Sequence, residues 1–167
     1  MRFRMPACST ALVLLLGIVP QLRAQISPAS GKAMCSALTP ADFSKQGVPV
    51  SALKEANLDG QEGAYCVYSS KAGKVEFDIF FPAGANAKEI LQTEKTVLGE
   101  GRARFERVQI PGADNAQFSM SLPDLPGSAC IVVRKGKAVF DIVIPRTSTS
   151  RQQLMSLGRV ALGRLRQ

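Results

Sequence analysis

The chain has 167 residues, 21 Lys and Arg against 13 Asp and Glu, a formal charge of +8, and 46% hydrophobic residues. It contains neither histidine nor tryptophan, which excludes a histidine-activated nucleophile and any histidine-ligated zinc or iron site. Its length supports one domain with a sizeable core.

Residues 1–24 read as an export signal. Arg2 and Arg4 form a basic start, Ala11 to Val19 a short apolar core, and Leu22-Arg23-Ala24 offers a small residue before a cut near Ala24/Gln25. The apolar run is about half the ~20 residues needed to span a bilayer, and no other stretch is long and apolar enough. Cys8 precedes the run, whereas a lipid-modified cysteine would follow it. The expected product is therefore a periplasmic or secreted protein with no transmembrane span. Removing three arginines leaves 18 basic against 13 acidic residues, a formal charge of +5. A mild excess of this kind suits an anionic surface or polymer, and export argues against nucleic acid as a partner. From Arg146 to the end there are five arginines and no acid.

Residues 25–34 mix Ser, Pro, Gly and Ala without a pattern, so a flexible lead-in is expected before a single domain over 35–167. Thr39-Pro40-Ala41-Asp42 has the chemistry of a helix start, with a hydroxyl cap, a proline at the first position and an acid in the first turn. That helix ends near Gly47, and residues 48–62 read as loop with at most one helical turn at Ser51 to Ala56. Strands are expected at Ala64 to Ser70 and Lys74 to Phe81, the second alternating Val75, Phe77, Ile79 and Phe81 with Glu76, Asp78 and Phe80. A helix follows over 86–98. Two further strands, Ala103 to Ile110 and Ala116 to Leu122, flank the turn Pro111 to Asn115. Strands at Ser128 to Arg134 and Ala138 to Ile144 precede a final helix capped by Ser148, Thr149 or Ser150, with Leu154, Leu157, Ala161 and Leu165 on one face.

The spans 64–99 and 129–163 resemble each other: Cys66 matches Cys130, Phe77-Asp78-Ile79 matches Phe140-Asp141-Ile142, and Pro82 matches Pro145. A duplicated strand-strand-helix unit is the expected scaffold. The predicted fold is α+β, a mainly antiparallel sheet of about six strands with helices packed on it.

Three cysteines remain after the cut, Cys35, Cys66 and Cys130, in a compartment that permits disulfides. One bridge and one leftover thiol is the simplest arithmetic. Cys66 has two open partners, Cys35 in the lead-in and Cys130 in the second copy.

Cys35-Ser-Ala-Leu-Thr-Pro, the short helix ending at Gly47-Val48, Cys66-Val-Tyr68 and the late segment from Val133 to Pro145 resemble small exported bacterial proteins of unknown function. The resemblance implies a Cys35–Cys66 disulfide. Many members are lipoproteins, and this chain departs from them in lacking a lipidation cysteine and in carrying a third mature cysteine. No catalytic residue and no cofactor carries over.

Candidate sites are few. Ser51-Ala-Leu-Lys54 matches S-x-x-K without the motifs that accompany it in penicillin-binding enzymes. Gly99-Glu-Gly101-Arg102 follows a helix rather than opening one, so it reads as a C-cap turn instead of a phosphate cradle. Asn57-Leu-Asp59-Gly60 lacks the remaining ligands of a calcium loop. Asp78 and Asp141 are equivalent in the two copies. If an axis of symmetry passes near their strands, the two carboxylates meet and can share a proton or a cation. The turn-rich loop from Pro111 to Gly127, with Asp114, Asn115, Phe118 and Met120, is the best recognition candidate, although Phe118 and Met120 also suit one strand's inward face.

The functional expectation is a non-enzymatic envelope module binding a protein partner or small ligand. One alternative is a carboxylate-dependent hydrolase of cell-wall polymer, favoured by an open cleft holding Asp78, Asp141 or Glu76 and disfavoured by a filled sheet face. Another is an envelope-surface structural protein that uses its basic C-terminal helix.

Overall fold

The computed structural model describes residues 31–58, 63–81, 92 and 103–165. The export signal, residues 25–30 of the lead-in, the helix expected over 86–98 apart from Gln92, and the Gly99–Arg102 turn lie outside the described residues, as do Asp59 and Gly60.

Within them the architecture is α+β, with one antiparallel sheet of seven strands. The elements run α1 (Gly31–Cys35), α2 (Pro40–Lys45), β1 (Leu53–Leu58), β2 (Gly63–Tyr68), β3 (Val75–Phe80), β4 (Glu106–Arg107), β5 (Asn115–Ser119), β6 (Ser128–Lys135), β7 (Ala138–Pro145) and α3 (Ser150–Arg164). Strands lie side by side in the order β1-β2-β3-β7-β6-β5-β4, every neighbouring pair antiparallel.

Two departures from the sequence reading have physical causes. Residues 53–58 form an edge strand where a loop or helical turn is expected. Their sequence, with exposed Lys54, Glu55 and Asn57, has no apolar stripe because an edge strand owes its conformation to the ladder it joins. Charged side chains there also discourage pairing with other chains. The end of the expected lead-in, from Gly31, is helical, with Met34 fully buried and Cys35 tied to the sheet. By contrast, β4 keeps two residues of the strand expected over 103–110.

α2 begins as its sequence dictates. The backbone N–H and the hydroxyl of Thr39 both donate to Asp42 Oδ2, at 2.8 and 2.6 Å, and Pro40 takes the first helical position, where no N–H is needed. Gly47, at φ 73°, lets the chain leave the helix.

Side-chain alternation divides the sheet into two faces. On the first, Cys66, Tyr68, Phe77, Ile79, Ile131, Phe140 and Ile142 are buried beneath all three helices. Leu154, Leu157, Ala161 and Leu165 of α3 form the expected apolar stripe, and Gly158 packs so closely that a Cβ would stand 3.0 Å from Ile110 Cδ1. Cys35 and Cys66 sit at disulfide distance, 1.97 Å between sulfurs, and Tyr68 donates to Leu38 O at 2.6 Å. On the second face Cys130, Val132, Val139 and Val143 form a smaller cluster with Phe105, Leu122 and Leu125 against it. Free Cys130 is buried there, across the sheet from Cys66, so the two cannot pair.

The β3–β7 register is symmetric: Phe77 faces Ile142, Asp78 faces Asp141 and Ile79 faces Phe140. Phe77 and Phe140 meet edge-on at 5.8 Å. The hairpins on either side differ in register. Phe77 pairs with Cys66 across β2–β3, but Phe140 pairs with Val133 across β6–β7. The connections differ too, running over 69–74 in one hairpin and 136–137 in the other. Cys66 and Cys130, aligned in sequence, are not aligned in space.

Candidate functional site

Three places on the described residues concentrate polar chemistry: the carboxylates of the second sheet face, and two hollows flanking α3.

The symmetric register brings Asp78 and Asp141 together as directly opposed residues, which places their Cβ atoms roughly 4.5–5.5 Å apart. Glu76 shares their face, two residues along β3. The Tyr65 hydroxyl donates to Glu76 Oε1, and Lys74 Nζ lies 2.6 Å from the same oxygen. The Lys74 ammonium also stands 5.9 Å from the centre of the Tyr65 ring. Burial, and after it the neighbouring carboxylates of Asp78 and Glu76, push the Asp141 carboxyl well above the usual range. Burial and then Asp141 raise the Cys130 thiol in the same way, so it is an inert packing residue. Tyr65 is raised by burial and by Glu76. For Lys74 burial acts downward, but its contacts with Glu76 and Tyr65 outweigh it and the ammonium is held.

This face is filled rather than open. Glu76 is 3% exposed, Asp141 9% and Val139 not at all. Among the described residues no group of three or more Cys, Asp or Glu is arranged to hold a metal ion. Asp78 is half-buried, and with Glu76 and Asp141 packed away the arrangement suits a proton retained between neighbouring carboxylates better than an open reacting centre.

The other candidates separate. Phe118 is buried in the helix-side core with Arg151 stacked over its ring at 5.6 Å, while Met120, just past the end of β5, is exposed. Asp114 accepts the Gly136 N–H at 2.6 Å and lies 3.6 Å from Arg134, which fixes the tight β6–β7 turn. Ser51 lies just before β1, its hydroxyl donating to Ser69 O at 3.4 Å, while Lys54 is exposed within the strand.

Asp114 and Asn115 do border a hollow. A groove of about 850 Å³ runs between the β4–β5 edge and α3, lined by Arg107, Gln109, Ile110, Asp114, Asn115 and Arg159 among others. Its floor includes Val108 and Ala116, apolar and buried. A second hollow of about 520 Å³ lies on the other flank of α3, lined by Lys45, Gln46, Gln152, Gln153, Ser156 and Arg159 among others. Arg159 borders both. The remaining cations of α3 are committed elsewhere: Arg151 pairs with Glu106 at 2.5 Å, and Arg164 grips both oxygens of Asp42 at 2.5 and 2.9 Å. Hydrogen bonds from Arg164 hold the Asp42 carboxyl down at about 2, against the opposing effect of burial.

Comparisons with protein families, with curated proteins and with solved structures find no match. The site's chemistry therefore rests on its own residues.

Arg107, Lys45 and Arg159 form the constellation that sequence reasoning misses. Arg159 stands out in sequence only as a cation off the apolar stripe of an acid-free helix, and nothing local places Arg107 across a groove from it.

Proposed function

We propose that this chain is an exported, non-enzymatic binding module of the bacterial envelope, directed to the periplasm or beyond by a leader cut near Ala24/Gln25. Its recognition surface is the groove between the β4–β5 edge and α3. The observation that supports this most is the 850 Å³ hollow itself, within the ~300–1,000 Å³ range of ligand sites and bordered by the recognition loop at Pro111 to Ala116. The cysteine pair at bonding distance fits an oxidising compartment. No helix among the described residues is long and apolar enough to cross a membrane.

The hydrolase reading is weaker because its carboxylates face a filled surface. The surface-anchor reading through the C-terminal helix is weaker because α3 spends its apolar stripe on the sheet. We also read the β2–β3 and β6–β7 hairpins as two copies of one unit. The symmetric β3–β7 register supports this, with the offset between Cys66 and Cys130 absorbed by hairpin loops of different length.

Hydrogen exchange on the purified protein, with and without extract of its own envelope, tests the assignment. Protection confined to residues 107–116 and the part of α3 around Arg159 is the expected result. Protection centred on Asp78 and Asp141 would move the site to the sheet face and return the hydrolase to contention.

A further inference from the structure

The binding reading leaves the ligand's chemistry open, and the charge around α3 narrows it. Lys45, Arg107 and Arg159 are exposed cations, and none of them has a carboxylate partner among the described residues. Acids beside them in the chain or groove are already engaged: Asp42, on the helix of Lys45, with Arg164; Glu106, next to Arg107, with Arg151; and Asp114 with the Gly136 N–H and Arg134. α3 itself contributes no acid. Three cations on one surface, without a carboxylate partner among the described residues, raise the local concentration of anions.

Their spacing matters as much as their sign. Lys45 borders only the smaller hollow and Arg107 only the larger, with the body of α3, about 10 Å across, between them and Arg159 common to both. One small anion can engage Arg159 and one neighbour but cannot reach all three. A chain bearing an anionic group at every repeat can lie in both hollows and cross α3 at Arg159. Gln152 and Ser156 offer neutral polar groups along the smaller hollow, which suit hydroxyl or amide groups of a polymer backbone. Resting on the binding reading above, we infer that the Lys45–Arg159–Arg107 path binds an extended polyanion of the envelope, bearing phosphate or carboxylate groups.

The test is binding of the purified full chain to inorganic polyphosphate and to poly-L-glutamate over a salt series, with Arg159→Gln, Arg107→Gln, Lys45→Gln and Lys54→Gln variants. Lys54 is an exposed cation on β1, at the opposite edge of the sheet. Expected are salt-sensitive binding, a loss of about fivefold or more in Arg159→Gln, smaller losses of about threefold in the Arg107 and Lys45 variants, and no change in Lys54→Gln. Because affinity for a polyanion falls with salt in proportion to the cations engaged, each of the first three variants should also lower that slope by about one third. Binding to polyphosphate alone or to poly-L-glutamate alone supports the path and assigns the anionic group. No binding to either polymer, or equal losses in Arg159→Gln and Lys54→Gln, would overturn it. A groove footprint from envelope extract with neither polymer bound would remove the polyanion and leave the binding reading standing; loss of both would remove both.

Discussion

The two faces of the sheet solve opposite problems. The helix-side face buries an apolar layer in which Phe77, Phe140, Ile131 and Ile142 meet the stripe of α3 and the Cys35–Cys66 pair. The other face buries two carboxylates, Glu76 and Asp141, and half-buries a third, Asp78, beside four apolar residues. Hydrophobic area and a cross-link hold the first together, whereas the second tolerates charge only by retaining protons or pairing with Lys74 and Tyr65. Burial of chemistry-bearing residues is thus no guide here to a working surface, and the proposed one uses exposed cations on the rim of the helix layer.

Breaking the helix-side face should have the largest effect. Phe77→Ala removes a fully buried ring that also meets Phe140, and should cost about 3–5 kcal/mol in a urea titration. Cys66→Ser should cost on the order of 2–5 kcal/mol, since it frees α1 from the sheet. A loss below about 1 kcal/mol in either would mean that this layer is not what stabilises the fold.

Next comes the Asp42–Arg164 clamp at the rim. Asp42 titrates near 2 in the folded chain, below its ordinary value of 3.8, so its contribution is fully present above the ordinary value and is lost as pH falls toward 2. Each tenfold change in proton affinity corresponds to about 1.4 kcal/mol, which sets an upper bound, and partial solvation of Arg164 reduces it to about 1–2 kcal/mol. Asp42→Asn should flatten the acid limb of the stability curve between about pH 4 and pH 2 by that amount. An unchanged limb would assign acid sensitivity to other groups.

Asp141 on the second face has the opposite sign. Its folded carboxyl binds its proton more tightly than the unfolded one, so stability is greatest below the ordinary carboxylate range and declines as pH rises toward the folded value. Asp141→Asn keeps the shape and removes the ionisation, so its stability relative to the parent should improve with rising pH, by about 1 kcal/mol at neutrality. A variant less stable than the parent at every pH would mean that the carboxylate is needed for its contacts. The smallest effect is expected for Gly158→Ala. Helix propensity favours alanine by about 1 kcal/mol, and the new Cβ would stand 3.0 Å from the movable end of Ile110, so the net change should stay within about 1 kcal/mol.

Much of this contrast is visible in the sequence where the period is strong. The alternation of Val75 to Phe81 and the nearly continuous apolar run of Ala138 to Ile144 specify the two central strands, and the leucine stripe of 154–165 specifies α3. Thr39-Pro40-Ala41-Asp42 specifies the start of α2. Leu53–Leu58 shows no such period because an edge strand is defined by its neighbour. The Asp78–Asp141 encounter is what the resemblance between 64–99 and 129–163 leads one to expect, but the burial of Asp141 is not, since alternation tells which face a residue takes and not whether that face is covered. The Arg107–Arg159 groove is not legible in the sequence because it joins an edge strand to a helix distant along the chain, and its charge matters only once nearby acids are known to be engaged elsewhere.

The central claim is that the working surface is the rim at Arg159 and not the carboxylate face. The most direct measurement compares binding to polyphosphate and poly-L-glutamate in Arg159→Gln and Asp141→Asn, each checked for a native fold by circular dichroism. The account predicts a loss of about fivefold or more in the first and parent-like affinity in the second. The reverse pattern would contradict it.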